Sequence, residues 1–246
     1  MLVRSLIKVL QVLDQQGFEA FSAFKRGYSI SSYRIVKAIK GHCNEFNTII
    51  DVGANQGQFA LAAKALYPQA KLFSFEPLEE MCERFRRNTK HLNGIELYNV
   101  ALGTEGGIID FYRNDHTHAS SVLPISKEQV AAIPTTASTT KIKVKVQRLD
   151  EAIPLLFLKG PILLKLDVQG FEKNVLEGGS THIQQIDFIV FEASFIPMYD
   201  GEPLFDEMNQ YLKGLGFQLV APVGFLEGKD GAIIQMDFLY KRTKSI

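Results

Sequence analysis

Five polar residues in this sequence stand at comparable places, each at the end of a short, mostly apolar run. Asp51 follows Thr48-Ile49-Ile50, Glu76 follows Lys71 to Phe75, Asp167 follows Ile162 to Leu166, and Glu192 follows Ile186 to Phe191, with Asn99 after Ile95 to Tyr98. Four of the five are acids and the other is an amide. In an open α/β sheet, ligands bind beyond the carboxyl ends of the strands, near the point where strand order reverses. Acids gathered there suit a ligand that presents cations and hydroxyls.

The first of these acids opens a glycine-rich turn, Asp51-Val52-Gly53-Ala54-Asn55-Gln56-Gly57, which leads into Phe59 and a helix, and Asp51, Gly53, Ala54, Asn55, Gly57 and Phe59 are candidates to hold a cofactor. Glycines here permit backbone conformations and close approach that a side chain would block. A phosphate-binding loop requires Lys-Ser/Thr after its last glycine, and none follows Gly57. A dinucleotide fingerprint requires a second glycine where Asn55 stands. Asp51 would also repel a phosphate. S-adenosylmethionine (SAM), which carries an ammonium and a sulfonium, fits these residues better than NAD or ATP. Glu76, followed by Pro77, can accept hydrogen bonds from both hydroxyls of a ribose; its alternative is a helix N-terminal acid facing the macrodipole. Asn99 has two equal readings, a bond to the adenine edge or a bond to neighbouring backbone. Ala101 is expected beside it in the cofactor slot.

If SAM is the cofactor, the remaining polar residues must align an acceptor and take its proton. Asp167 is the first candidate for the base, with a purely structural carboxylate as its alternative. His116 and His118 are further candidates, since a histidine titrates near neutrality. Ser120 and Ser121 beside them, Lys165 in a buried strand and Glu192 are expected at the acceptor. No local ligand motif calls for a metal.

These residues need a scaffold. Apolar runs at Thr48–Val52, Lys71–Phe75, Ile95–Leu102, Ile162–Asp167 and Ile186–Glu192 read as strands, with helices at Phe59–Tyr67, Leu78–Lys90, Gly170–Gly179 and Leu204–Leu215. That alternation predicts βαβ units in a parallel sheet. Phe217–Val223 and Gln235–Arg242 read as a closing antiparallel pair across Gly224–Gly231. Residues 104–150 interrupt the rhythm with two strands around a Ser/Thr-rich tract and read as an insertion arm. Residues 1–45 read as a separate helical segment, with apolar spacing in Leu2–Leu10 and at Phe18, Phe21 and Phe24, and 46–246 as the main domain. That segment suits core packing or a homo-oligomer contact better than a membrane surface, because its polar face is not strongly basic.

Taken together, the motifs carry a resemblance. Val52-Gly53-Ala54-Asn55-Gln56-Gly57-Gln58-Phe59, Phe75-Glu76-Pro77, Asn99 to Gly103, Leu164 to Glu172 and Leu176-Glu177-Gly178-Gly179 are similar, in order, to the motifs of the FkbM-type methyltransferases, over about residues 48–200. The resemblance implies a class I SAM-dependent fold, a doubly wound and mostly parallel seven-stranded sheet. It also implies a family that mostly methylates hydroxyls of sugars or polyketide-type natural products. One position departs from it: Gln169 stands where the family usually has Glu in Asp-x-Glu-Gly.

Bulk properties agree with this reading. With 27 basic and 27 acidic residues in 246, the chain lacks the basic excess of a nucleic-acid binder. Its two cysteines, Cys43 and Cys82, form neither a disulfide scaffold nor a zinc pattern. No apolar run approaches the ~20 residues of a membrane span and no cleavage site follows the N-terminal stretch, so cytoplasmic residence is expected, without integral membrane contact. The competing readings are an NAD- or nucleotide-sugar-dependent oxidoreductase, against which Asn55 counts, and a non-catalytic module on the same fold. The missing Asn/Asp-Pro-Pro-Tyr/Phe motif favours oxygen over nitrogen as the acceptor atom.

Overall fold

Runs such as Thr48-Ile49-Ile50-Asp51-Val52 and Ile162-Leu163-Leu164-Lys165-Leu166 are buried at every position. Strands of that kind must be covered on both faces. The computed structural model describes residues 29–115, 117–154, 157–228 and 231–243. Its order is α1 (Ile30–Lys40), β1 (Thr48–Val52), α2 (Gln58–Leu66), β2 (Lys71–Phe75), α3 (Glu79–Thr89), β3 (Ile95–Tyr98), β4 (Ala101–Leu102) and β5 (Gly107–Asn114). It continues through α4 (Lys127–Ala132), β6 (Thr139–Gln147), α5 (Leu149–Ala152), β7 (Ile162–Leu166), α6 (Glu172–Gly178), β8 (Phe188–Ser194), α7 (Phe205–Gly214), β9 (Phe217–Glu227) and β10 (Ile233–Arg242).

Seven strands form the main sheet in the order β3-β2-β1-β7-β8-β10-β9. The first five are parallel, while β10 runs antiparallel to both β8 and β9. The order reverses between β1 and β7, which places the switch point beside the glycine turn. Side chains alternate across the sheet. Ile49, Leu163, Val190 and Leu239 pack under α1 and α2. Ile50, Leu164, Ile189 and Phe238 pack on the opposite face, with Val175, Leu176 and Leu212 of α6 and α7. The same alternation carries Asp51, Lys165, Asp167, Glu192 and Asp237 toward the α1/α2 face.

Several expectations are corrected. The strand predicted over Ile95–Leu102 is two strands: β3 stays in the main sheet, while β4 turns away to pair with β6. The two strands expected in the arm are present as β5 and β6; what was not expected is that they pair antiparallel along their length and form a second, three-stranded sheet with β4. Its root is a backbone contact, where a Cβ on Gly178 would lie 1.9 Å from the Gly103 carbonyl oxygen. The strand predicted to end at Glu192 continues to Ser194, so Glu192 lies inside β8. Gly224, read as a turn residue, lies inside β9 opposite Asp237. Of the N-terminal segment, α1 packs on α2 and β9; the patterns at Leu2–Leu10 and Phe18–Phe24 lie outside the described residues, as does His116. No helix among the described residues is long and apolar enough to cross a membrane.

Candidate active site

On the β2 side of the switch point, the backbone of the glycine turn is held by its neighbours. Gly53 and Ala54 N–H both donate to the Phe75 carbonyl, at 3.0 and 2.9 Å. Gly53 has φ +77°, and a Cβ there would lie 1.9 Å from the Asp167 carbonyl oxygen. No other residue type fits. Asn55 also adopts positive φ (+46°), and its N–H donates to Glu76 Oε2 at 2.9 Å, while Leu78 N–H donates to Oε1 at 2.9 Å. Glu76 thus fastens two turns together. Burial pushes its carboxyl up to about 7, against those two N–H donors. Beside it opens a cleft of about 630 Å³ with apolar walls that include Pro77, Val100, Ala101 and Phe171.

This cleft passes a test of fit for SAM. Its walls are apolar enough to hold an adenine. The carboxylate oxygens of Glu76 each spend one lone pair on backbone and keep one for a vicinal hydroxyl. Gly57 caps α2 and lies against Phe85. Of the two readings of Asn99, the structure shows the backbone one: its amide donates to the Glu76 and Pro77 carbonyls, both at 3.0 Å. The physical reason is that Asn99, in the bend between β3 and β4, lies beside the turn between β2 and α3 and satisfies two of its carbonyls.

On the β8 side, carboxyls dominate. Asp51 is fully buried and opposes Lys165 across the strand pair, with Nζ 3.0 Å from Oδ1. The cation that Asp51 suits is therefore supplied by the chain itself. Lys165 also lies 3.5 Å from Asp167 Oδ2 and donates to the Gly53 carbonyl at 2.9 Å. Burial works against its charge, yet the two carboxylates outweigh burial and hold the ammonium above its usual range. Asp51 itself is raised, because burial exceeds the effect of Lys165. Asp167 is only half-buried and faces solvent-accessible space.

Gln169, at φ +58°, joins the group. Its Nε2 donates to Asp167 Oδ1 at 2.7 Å and to Glu192 Oε2 at 3.0 Å, and its Oε1 accepts from Tyr199 Oη at 2.6 Å. The amide is saturated, with both protons on carboxylates. Glu192 Oε2 also accepts from Gln235 Nε2 at 3.0 Å. Across the strand pair from Glu192 stands Asp237. Burial, and the nearby Asp167, push Asp237 up to about 7 and Glu192 well above the usual carboxylate range. A second cleft of about 1160 Å³ opens over these acids, between Ser29 and Ser32 at the start of α1, Phe59, and Phe225 of β9.

The structure brings Asp167, Glu192 and Lys165 together as expected, and puts exposed His118 at the rim of both clefts. Ser120 and Ser121 are buried and committed within the chain. Ser120 Oγ accepts from Asn114 N–H at 2.9 Å, and Ser121 Oγ donates to the Gln169 carbonyl at 2.7 Å. Ser120 closes the turn after β5, and Ser121 ties the arm to the loop after β7. Asp237, Gln235 and Tyr199 were not anticipated. Asp237 had a signal, an acid inside the apolar run Ile233–Tyr240. Because β10 is antiparallel, its site-facing residue comes early in the strand rather than after it. Among the described residues, no group of His, Cys, Asp and Glu is arranged to hold a metal ion.

A mostly parallel sheet whose switch point carries an acid-fastened glycine turn and a cofactor-shaped cleft is that of a class I SAM-dependent methyltransferase. Comparison with known proteins makes the assignment specific. The family described as the methyltransferase FkbM domain matches residues 51–219. A 2-O-methyltransferase, NoeI, of Sinorhizobium fredii is 30% identical over 80% of this chain and 79% of its own length. The 31-O-demethyl-FK506 methyltransferase FkbM of Streptomyces tacrolimicus is 26% identical over 71% of this chain and 74% of its own. The hexuronic acid methyltransferase AglP of Haloferax volcanii is 24% identical over 64% of this chain and 60% of its own. The chain belongs to the FkbM methyltransferase family, and SAM is its cofactor.

Proposed function

We propose that this enzyme methylates a hydroxyl oxygen of a sugar or natural-product acceptor, bound in the cleft over Asp167, Glu192 and Asp237. One observation carries the reading. The two clefts meet, and Gly53, Asn55, His118 and Asp167 line both. A methyl donor in one and an acceptor in the other would face each other across Asp167. Two of the relatives are named for transfer to oxygen, and one for a sugar acid.

When bound, SAM supplies an electrophilic methyl group. The chain's own residues do the rest. Glu76, Pro77 and Ala101 bind and orient the cofactor. Asp167 accepts the hydroxyl proton, an effect of roughly 10²–10⁴-fold. The Gln169 amide fixes the carboxylate that receives the proton, and Phe59 and Phe225 wall the acceptor cleft. His118 stands at the rim, where it can relay the proton to solvent.

Calorimetry with S-adenosylhomocysteine and an assay of methyl transfer to a panel of glycosides test this. Glu76→Ala should weaken cofactor binding severely. Asp167→Asn should keep cofactor binding within a few-fold and lower kcat by roughly 10²–10⁴. Unchanged binding in the first variant, or unchanged kcat in the second, overturns the corresponding role.

A further inference from the structure

The acceptor cleft is unbalanced in charge. Asp167, Glu192 and Asp237 line it, with Asp51 buried behind Lys165, the one Lys or Arg among the described residues that line it. Lys165 is spent on Asp51 and Asp167. Glu192 is held by the neutral amides of Gln169 and Gln235, and both bond the same oxygen, Oε2. Asp237 is accommodated by a missing side chain, since a Cβ on Gly224 would lie 2.3 Å from its Oδ2. Among the described residues neither Glu192 nor Asp237 makes an ion pair, although the charge of Lys165 reaches Asp237. No metal-ligating arrangement exists among the described residues to balance them. SAM adds one net positive charge, from an ammonium, a sulfonium and a carboxylate, and the buried carboxyls of Glu192 and Asp237 ionise more readily when a cation enters beside them and less readily beside an anion.

An acceptor entering this space meets carboxyls along its floor and aromatic side chains, Phe59 and Phe225, at its walls. Hydroxyls can donate to the carboxyls while the C–H face of a ring lies on the aromatics. An ammonium gains from every acid present. A carboxylate or phosphate on the ring would be brought into low-dielectric contact with like charge, with the lysine already engaged. Like-charge juxtaposition of that kind is an effective means of rejecting a wrong partner.

Resting on the acceptor reading above, we propose that the acceptor is a sugar without an anionic group on the ring that receives the methyl, and that an amino sugar is preferred over a neutral one. In this the chain departs from its relative named for a hexuronic acid.

The test uses the full chain with SAM and matched methyl glycosides, the neutral hexose, the 2-amino-2-deoxyhexose and the hexuronate, in gluco, galacto and manno series. Release of S-adenosylhomocysteine is followed. The expected order of kcat/KM is amino, then neutral, then uronate, with the uronate lower than the neutral sugar by on the order of a hundredfold. Asp237→Asn and Glu192→Gln, each assayed separately after a thermal melt shows it folded, should narrow that ratio by about tenfold. A uronate equal to or better than its neutral partner overturns this assignment and leaves the reading it rests on intact, as does an unchanged ratio in both variants. Transfer to none of the sugars, with S-adenosylhomocysteine still bound, overturns both.

Discussion

The two clefts that meet at Asp167 solve the problem of a buried acid in opposite ways. On the cofactor side Glu76 is alone, and both of its oxygens take backbone N–H donors from the turns it joins. On the acceptor side several acids share one lysine and two amides, drawn from strands far apart in sequence. The first arrangement is local and stiff and suits a ligand of fixed shape. The second is a long-range network whose charge depends on every member, and such a network can be retuned by a single substitution.

The comparison predicts where the molecule is most fragile. Lys165→Met strands Asp51 as an uncompensated buried charge and should cost about 3–5 kcal/mol in a denaturant titration; a loss below about 1 kcal/mol would show that Asp51 is not held by charge. Gln169→Glu replaces the saturated amide with another carboxyl between Asp167 and Glu192. It should cost about 1–3 kcal/mol and raise the acid limb of the pH–rate profile. An unshifted limb would mean that Gln169 only packs.

A smaller effect should be seen in pH dependence. Burial raises Glu76 and Glu172 from the usual 4.5 to about 7. Both hold their protons more tightly in the folded protein than in the unfolded chain, so the folded state binds more protons between about pH 4.5 and 7. Stability without cofactor should therefore fall as pH rises through that window and level off above it. Thermal melts across the range check this, and Glu172→Gln should flatten the slope. The smallest effect belongs to the arm. Arg113 of β5 makes a two-pronged bond to Glu80 of α3, at 2.9 and 3.2 Å, but the pair is substantially exposed. Arg113→Ala should lower the melting temperature only slightly, and less at high salt.

The same contrast explains what the sequence revealed. The cofactor half was legible because its parts are contiguous: a glycine turn, an acid after a strand, a proline after the acid. The parallel strands were legible because burial on both faces leaves unbroken apolar runs. The acceptor half was only partly legible. Asp167 and Glu192 were found by the rule that sites lie after parallel strands, and Asp237 escaped it because β10 runs the other way. Gly224 looked like a turn because a glycine in a strand gives no sign that it is making room for a carboxylate across the ladder. Gln169 looked like the loss of a charge, and its bridging role needs the register of β7, β8 and β10 to become visible.

Gly53 and the Asp167 carbonyl touch with no room for even a methyl group between them. Nothing compliant separates the glycine turn from Asp167, the residue proposed to take the acceptor's proton. A displacement at one is passed to the other undamped, as expected of close-packed interiors. The glycine turn and the proposed proton acceptor thus form one rigid part, so that settling the first into place would align the second.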